Sequence, residues 1–186
     1  MELNRLAGVD AIEERLARTT DPRLRGMLSV LRDHIHAEAA LDLDGLMATL
    51  VDEPRYHIWG SGRDTGPKGR DEVVTYYTNL VTSKRGVLEY AIERIVLDDD
   101  TIVTEGFIRA FQPGDVAQSF GYNVPDPAGH YLVRYRALVL WPFDETGTKL
   151  VGEDGYAGID PADFQQVDFA ELPEEYTAQF ADLTSR

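Results

Sequence analysis

Apolar residues in the first half of the chain recur at the spacing of amphipathic helices. Asp21 followed by Pro22 is typical of a helix start, with a capping carboxylate and then proline in the first turn. The apolar stripe of this predicted helix comprises Leu24, Met27, Leu28, Leu31 and Ile35. A short helix is predicted in GLMATLVDE, and another begins near Asp71, with Val73, Tyr76, Tyr77, Leu80 and Val81 on one face.

Strand-like alternation, in which apolar residues recur at every second position, dominates the chain after the third of these helices. The predicted strands are a short one at 55–59, before the glycine-rich loop SGRDTGPKG, and four long ones at 87–97, 101–111, 130–143 and 149–158. A long loop, PGDVAQSFGYNVPDPAG, separates the second and third long strands. This order predicts an α+β fold: a cone-shaped domain with helices packed on one face of a curved antiparallel sheet that encloses a pocket.

Composition and charge narrow the possible partners. The 186 residues include 18 basic and 33 acidic side chains, a net charge of −15. This balance disfavours nucleic acid and membrane surfaces as partners, because both require a positive footprint. There are no cysteines, and the N-terminal segment has no apolar h-region, so we expect no signal peptide and a cytoplasmic location. No phosphate-binding loop or metal-ligand spacing is present, and we expect neither cofactor nor metal.

Three segments, LDLDGLMATLVDEPRYHIW, GRDEVVTYY and KLVGEDGYAG, occur within the element order described above. In this arrangement the chain resembles the nuclear transport factor 2-like superfamily, which includes SnoaL-like polyketide cyclases and ketosteroid isomerases. The resemblance covers residues 22–160, so we predict a domain there, a helical extension at 1–21 and an acidic tail at 161–186. It implies a pocket for a small apolar molecule and a homodimer.

The resemblance does not supply a complete set of catalytic residues. Ketosteroid isomerases place an aspartate base at the position of Ile58, a tyrosine donor at that of His34 and a protonated aspartate near Val139. All three residue types differ here, so the steroid-isomerase mechanism is not expected.

The first candidate catalytic pair lies on the helix that begins at Pro22. At 100° per residue, Glu38 falls inside the apolar stripe and His34 falls at its edge. A buried carboxylate is unfavourable unless it is paired, and a His–Glu pair one turn apart could orient the imidazole as a base. The alternative is a structural pair at the end of the helix.

The short strand supplies the second group of candidates. Tyr56 and Ile58 share one face, which the resemblance directs to the cavity, whereas His57 and Trp59 share the other. His57 is a candidate base if the backbone at the pocket rim turns its side chain toward the cavity, and Trp59 is a candidate rim residue. The alternative for His57 is a histidine packed under the helices.

The third candidate is Asp154 in GEDGYAG. On a continuous strand it shares a face with Leu150, Gly152 and Tyr156, and Glu153 points the other way. A carboxyl group among aromatic residues would have a shifted pKa suited to proton transfer. The alternative is a solvated carboxylate at the end of a strand.

The remaining candidates are substrate-binding residues around the pocket. Tyr122 and His130 lie in or next to the long loop, which either closes over a ligand or is a solvated excursion or dimer contact. The other predicted lining residues, besides Tyr56, Ile58 and Trp59, are Tyr76, Tyr135, Val139 and Tyr156.

Together these patterns predict a small-molecule enzyme that uses cofactor-independent acid–base chemistry. An isomerase, cyclase or dehydratase acting on an apolar substrate with a carbonyl or hydroxyl group fits the predicted pocket. The alternative is a non-catalytic module of the same fold that binds a small ligand or another protein.

Overall fold

The computed structural model describes residues 2–60 and 62–183 and has six α-helices, three short 3-10 helices and six strands among them. The helices are α1 (Ala7–Ala17), α2 (Pro22–Ala40), α3 (Leu43–Ala48), α4 (Arg70–Thr82), α5 (Gly114–Ser119) and α6 (Glu174–Thr177). The strands are β1 (His57–Ile58), β2 (Leu88–Leu97), β3 (Thr101–Pro113), β4 (His130–Pro142), β5 (Asp154–Ala157) and β6 (Phe164–Val167). Within the described residues no helix combines the length and apolarity that crossing a membrane requires.

The sheet has the order β1-β5-β4-β3-β2, and β6 pairs with the first residues of β4. Only the β1–β5 pair is parallel. A bulge between Ile92 and Arg94 interrupts the β2–β3 register and increases the local twist. Odd-numbered residues of β4 from Tyr131 to Trp141 face the helices, on what we call the inner face of the sheet. The predicted α+β cone, with helices on one face of a curved antiparallel sheet, is confirmed.

Helix α2 begins and ends where the sequence predicts. The Asp21 side chain accepts a hydrogen bond of 2.9 Å from the Leu24 amide, and Pro22 occupies the first turn. At the other end, Leu41 adopts a left-handed conformation with φ of 57°. Met27, Leu28 and Leu31 are fully buried against the sheet, so the predicted apolar stripe is the one that forms the core.

Two segments differ from the prediction. The long loop contains helix α5, and the strand predicted at 149–158 is regular only at Asp154–Ala157. The backbone before β5 is irregular because the segment before β1 passes against it: a Cβ added to Gly152 would overlap the Arg55 carbonyl oxygen. Leu150 therefore bridges to Leu50 and Phe143 instead of continuing the strand.

The predicted acidic tail contributes to the sheet and to a second core. Residues Phe164–Val167 form β6, and the segment after it covers the outer face of the sheet near the start of β4. The buried members of this second cluster are Val87, Phe111, Leu132, Val167, Leu172 and Tyr176. The last three residues of the predicted tail lie outside the described residues.

One threonine hydroxyl joins three strands inside the main core. Thr104 Oγ1 accepts hydrogen bonds from the Tyr90 hydroxyl at 2.9 Å and from Trp141 Nε1 at 2.8 Å. Thr104 is fully buried, and its partners are nearly so. Buried donors without partners are unfavourable, so this hydroxyl satisfies two groups at once.

We predict that Thr104→Val, which keeps the shape of the side chain, destabilises the protein by about 2–4 kcal/mol because two buried donors lose their acceptor. Urea unfolding followed by circular dichroism would measure the change. Thr101→Val is the matched control, since its hydroxyl donates to the exposed Asp100 carboxylate. Equal stabilities of the two variants would contradict the assigned role of Thr104.

Candidate active site: two carboxyl groups in a tyrosine-lined interior

Tyrosines dominate the interior between helix α4 and the sheet. Tyr76 and Tyr77 come from α4, and their rings lie 5.2 Å apart, edge to face. Tyr56 is the residue before β1. Its ring centroid lies 6.1 Å from that of Tyr77 and 6.4 Å from that of Tyr76. Tyr135 faces the same interior from β4. The residues from three separate elements thus form one aromatic lining.

Two carboxyl groups project into this interior. Glu38 lies in the last turn of α2, on the face that packs against the core. Glu153 precedes β5 by one residue, and it points inward because Gly155, two residues later, lies opposite the inward Val139. Both side chains are partly buried.

The two carboxyl groups have strongly perturbed acidities. Burial raises the pKa of Glu38 to about 7. Burial, with the negative charge of Glu38 as the next cause, raises the pKa of Glu153 to about 8. Because each charge disfavours the other, the pair holds one proton near neutral pH, and the two titrations belong to the pair.

Two tyrosine hydroxyl groups act on Glu153 or on each other. The Tyr77 side chain favours the ionised form of Glu153. The Tyr77 oxygen lies 3.2 Å from the Tyr56 oxygen, so Tyr56 can donate to Tyr77 in turn. Burial raises the pKa of both tyrosines, and they stay protonated donors. Hydroxyl donors beside a carboxyl pair are the groups that stabilise a developing oxyanion.

A cleft leads from solvent to Glu38 and Tyr77. It lies between α2–α3 and α4, with a volume of about 220 Å³ and an almost entirely apolar wall. The apolar lining residues are Ala37, Leu41, Leu43, Leu46, Leu80 and Val81. Leu41 and Val81 are about 40% exposed and form its rim. An apolar entrance with few polar groups at its end is typical of small-molecule sites.

His34 does not form the predicted pair with Glu38. Its Nδ1 lies 2.7 Å from Thr49 Oγ1, and its ring packs against Trp141 at 5.7 Å. Burial lowers its pKa to about 4, so the ring is neutral. Its Nε2 has no hydrogen-bond partner among the described residues. The orienting role predicted for Glu38 is wrong, because α2 turns the imidazole toward α3.

The strand pairing places His57 and Asp154 on the outer face. They lie opposite each other in the β1–β5 ladder, and Asp154 also lies opposite the outward Leu140. His57 Nδ1 is 2.8 Å from Asp64 Oδ2, which also binds Lys68 Nζ at 2.7 Å. The prediction that Asp154 enters the cavity is wrong, because the break near Gly152 reverses the alternation. Glu153 occupies the inner face instead.

Aromatic residues predicted to line the pocket divide between the two faces. Trp59 and Tyr156 stack on the outer face at 6.4 Å, and Trp59 also stacks on His57 at 6.3 Å. The assignment of Tyr156 to the pocket is therefore wrong, for the same reason as that of Asp154. Ile58 and Val139 face inward, Val139 as part of the main core.

The two candidates in or next to the long loop, Tyr122 and His130, lie in different parts of the structure. Tyr122 packs on Phe164 at 5.0 Å, and the charge of Arg85 acts on its hydroxyl. His130 faces outward, and its Nδ1 lies 3.1 Å from the Tyr176 hydroxyl under the C-terminal segment. The predicted placement of His130 over the pocket is wrong, because even-numbered residues of β4 lie on the outer face of the sheet, opposite α2 and α4.

Sequence reasoning missed Glu153 and its interaction with Tyr77. The helical stripe already contained Tyr77, but the position of Glu153 beside it depends on the segment before β5. Among residues 2–60 and 62–183, no group of three or more His, Asp or Glu side chains is placed to hold a metal ion.

The fold is the nuclear transport factor 2-like fold, and the resemblance stated from the sequence is confirmed at the level of fold. The chain is similar to a protein assigned to the SnoaL-like polyketide cyclases from Shewanella denitrificans OS-217, with 14% identity, a TM-score of 0.59, and 74% of this chain and 92% of that chain covered. By sequence, no protein-family model and no curated protein matches.

Two further solved structures have the same architecture. A protein described as NTF2-like from Anabaena variabilis ATCC 29413 has 13% identity and a TM-score of 0.55 over 77% of this chain and 96% of that one. An NTF2-like protein of unknown function from Burkholderia pseudomallei K96243 has 17% identity and a TM-score of 0.52, with coverages of 74% and 92%. At these identities the likeness concerns the fold alone.

We predict that Glu38→Gln stabilises the protein increasingly as pH rises. The folded pKa of about 7 exceeds the ordinary 4.5, so ionisation disfavours the folded state. The free energy of unfolding of the wild-type protein therefore decreases as the pH rises from 4.5 to about 7, whereas the variant lacks this decrease. Above this window the gain should be on the order of 1–3 kcal/mol.

Denaturant unfolding of both proteins across this pH range would measure the difference. The titration of His34 contributes equally to the stabilities of the wild-type protein and the variant, so it cancels in the difference. Glu14→Gln, on the exposed side of α1, is the control and should show no such pH-dependent gain. A Glu38→Gln stability difference that does not change with pH would contradict burial of an ionisable pair.

Proposed function

We propose that this chain is a small-molecule enzyme that performs acid–base chemistry without a cofactor, as an isomerase, cyclase or dehydratase. The observation behind the proposal is the Glu38–Glu153 pair, of which Glu38 lines an apolar cleft. The raised pKa values leave one carboxyl ionised and one protonated near neutral pH. A base and an acid are then available at the same pH.

The proposed cycle moves a single proton. The ionised carboxylate removes a proton from the carbon next to a substrate carbonyl, and the electron pair shifts to the carbonyl oxygen. Tyr77 donates its hydroxyl proton to this enolate, and Tyr56 donates to the Tyr77 oxygen behind it. Return of the proton to another carbon gives an isomer. Attack of the enolate carbon on a second carbonyl of the same molecule gives a ring, and loss of a β-hydroxyl as water gives a dehydrated product.

Similarity to a protein assigned to the SnoaL-like polyketide cyclases supports the class of reaction. That similarity is one of fold, and the same fold supports different functions. The carboxyl pair of this chain is the more specific support, since it does not depend on any relative.

A non-catalytic ligand-binding module is the second candidate. The observation in its favour is the almost wholly apolar wall of the cleft. A binding module would retain a ligand without transferring protons, whereas an enzyme would exchange protons even when no net reaction takes place.

We predict that the protein catalyses exchange of α-hydrogens of apolar ketones and β-dicarbonyl compounds with deuterium oxide. Proton NMR of a panel of such compounds would detect the loss of α-hydrogen signals without knowledge of the product. Glu38→Gln and Glu153→Gln should each lower the exchange rate by about 100-fold or more, the usual contribution of a positioned acid or base.

Asp154→Asn is the matched control, because this neighbour of Glu153 faces outward and should leave exchange unchanged. Compounds that raise the melting temperature of the protein but undergo no exchange would favour the binding module. Exchange that survives in both Gln variants would refute the assigned pair.

We also propose that two copies associate through the outer face of the sheet. The face exposes Trp59 at 39%, Tyr156 at 44% and Leu138 at 36%, more aromatic surface than isolated exposed residues provide. Next to them, Arg136 binds Glu93 and Glu105. Because both charge signs are present on one face, a second copy related by a two-fold axis could meet opposite charges.

We predict a sedimentation mass of about twice 20.8 kDa. Trp59→Glu should shift the protein to the monomer, because it places a charge in the apolar centre of the interface. Phe169→Glu is the control, as Phe169 is 53% exposed but belongs to the C-terminal segment. A wild-type monomer at micromolar concentration would refute the proposal.

A further inference from the structure

A leucine occupies the position at the end of helix α2 where proteins usually place glycine. The Leu41 amide donates to the Glu38 carbonyl oxygen at 3.0 Å. The next amide, that of Asp42, donates to the Ala37 carbonyl oxygen at 2.9 Å. These two bonds define a Schellman motif, in which the residue at the position of Leu41 is left-handed and is usually glycine. Leu41 has a φ of 57°, one of two positive φ values outside glycine in the part of the chain that the structure describes.

Packing in the core does not explain this leucine. The left-handed conformation brings a Cβ close to the following carbonyl oxygen, so leucine is less favourable there than glycine. Burial of the side chain could offset that cost, but Leu41 is 39% exposed. Backbone strain that the surrounding structure does not repay is concentrated at functional sites. The position of Leu41 therefore indicates a role beyond ending the helix.

The Leu41 side chain lies across the entrance of the apolar cleft. Val81, from helix α4, lines the opposite wall. A Cβ added to Gly86, in the connection after α4, would lie 2.9 Å from Leu41 Cδ2 and 3.9 Å from Val81 Cα. The leucine thus reaches from the end of α2 to the α4 side of the cleft. Glu38, about one turn earlier on α2, lines the same cavity.

We infer that Leu41 is a specificity-determining residue that covers the outer part of the substrate, so the natural ligand is a carbonyl compound with an apolar tail that reaches the cleft entrance. The inference rests on the proposed function, since it places the carbonyl end near Glu38. The side chains of Leu43, Leu46 and Leu80 line the same cleft and offer no hydrogen bond to a polar tail. Leu41 contacts the substrate, and no proton transfer is assigned to it.

The other left-handed residue, Lys84, occupies the equivalent position at the end of α4. Its φ is 61°, and its amide donates to the Val81 carbonyl oxygen at 2.9 Å. Its Nζ lies 3.6 Å from the centre of the Phe180 ring, and it lines a different cavity. The lysine side chain therefore has a partner within the chain, whereas the partner inferred for Leu41 is the ligand. Lys84 provides a matched control for the backbone conformation.

The test measures how affinity depends on the length of the ligand tail. Straight-chain methyl ketones from 2-pentanone to 2-decanone share one carbonyl group and differ only in apolar length. NMR titration should show that wild-type affinity rises about fourfold with each methylene that the cleft covers. Leu41→Gly should weaken binding of the longer ketones by about 10-fold or more, and the loss should be confined to them. Leu41→Met, which keeps an apolar side chain, should retain most of the affinity.

Lys84→Gly should leave the dependence on tail length unchanged. Leu41→Gly should also raise the melting temperature by about 2–4 °C, because glycine relieves the left-handed conformation. A lower melting temperature would overturn the inference, since Leu41 would then be needed for folding. The inference would also fail if Leu41→Gly weakened short and long ketones equally or left the length dependence intact. Wild-type protein that binds none of the ketones, or binds all of them equally, would overturn it as well.

Failure of the proposed function would be distinguishable. Glu38→Gln should lose hydrogen exchange while it keeps the dependence on tail length, since Leu41 is intact. If wild-type protein shows the length dependence but no exchange, the role of Leu41 stands and it covers the ligand of a non-catalytic module. If exchange occurs without the length dependence, the acid–base pair stands and the assigned ligand class does not.

Discussion

The burial of two carboxyl groups of like charge in one interior is the main energetic penalty in this structure. Glu38 and Glu153 come from different elements, and packing forces them into the same tyrosine-lined space. An apolar replacement for either would remove an unfavourable term, so the pair reduces stability at neutral pH. The fold compensates through the surrounding core, where Met27, Leu28 and Leu31 are fully buried. Such a cost at a concave site is typical of function, and it favours a catalytic use of the pair.

The hydroxyl groups around the pair limit that cost. The Tyr77 side chain favours the ionised form of Glu153, and the Tyr56 hydroxyl lies within hydrogen-bonding distance of the Tyr77 hydroxyl. Deeper in the core, Thr104 satisfies Tyr90 and Trp141 in the same way. Polar groups that are fixed by packing do not need to reorganise when charge develops on a substrate. The same contacts therefore support the fold and prepare the interior for an oxyanion.

The fold could be predicted from local patterns, whereas the face of the sheet on which Glu153 and Asp154 each lie could not. The helical stripe of α2 and the alternation of β4 depend on neighbouring residues, and both were correct, including the inward position of Glu38. Asp154 and Glu153 differ by one residue, and the choice between them depends on a break near Gly152 that a distant carbonyl imposes. Because strand alternation has a period of two, one such irregularity reverses every subsequent assignment. Tyr156 was misplaced for this reason.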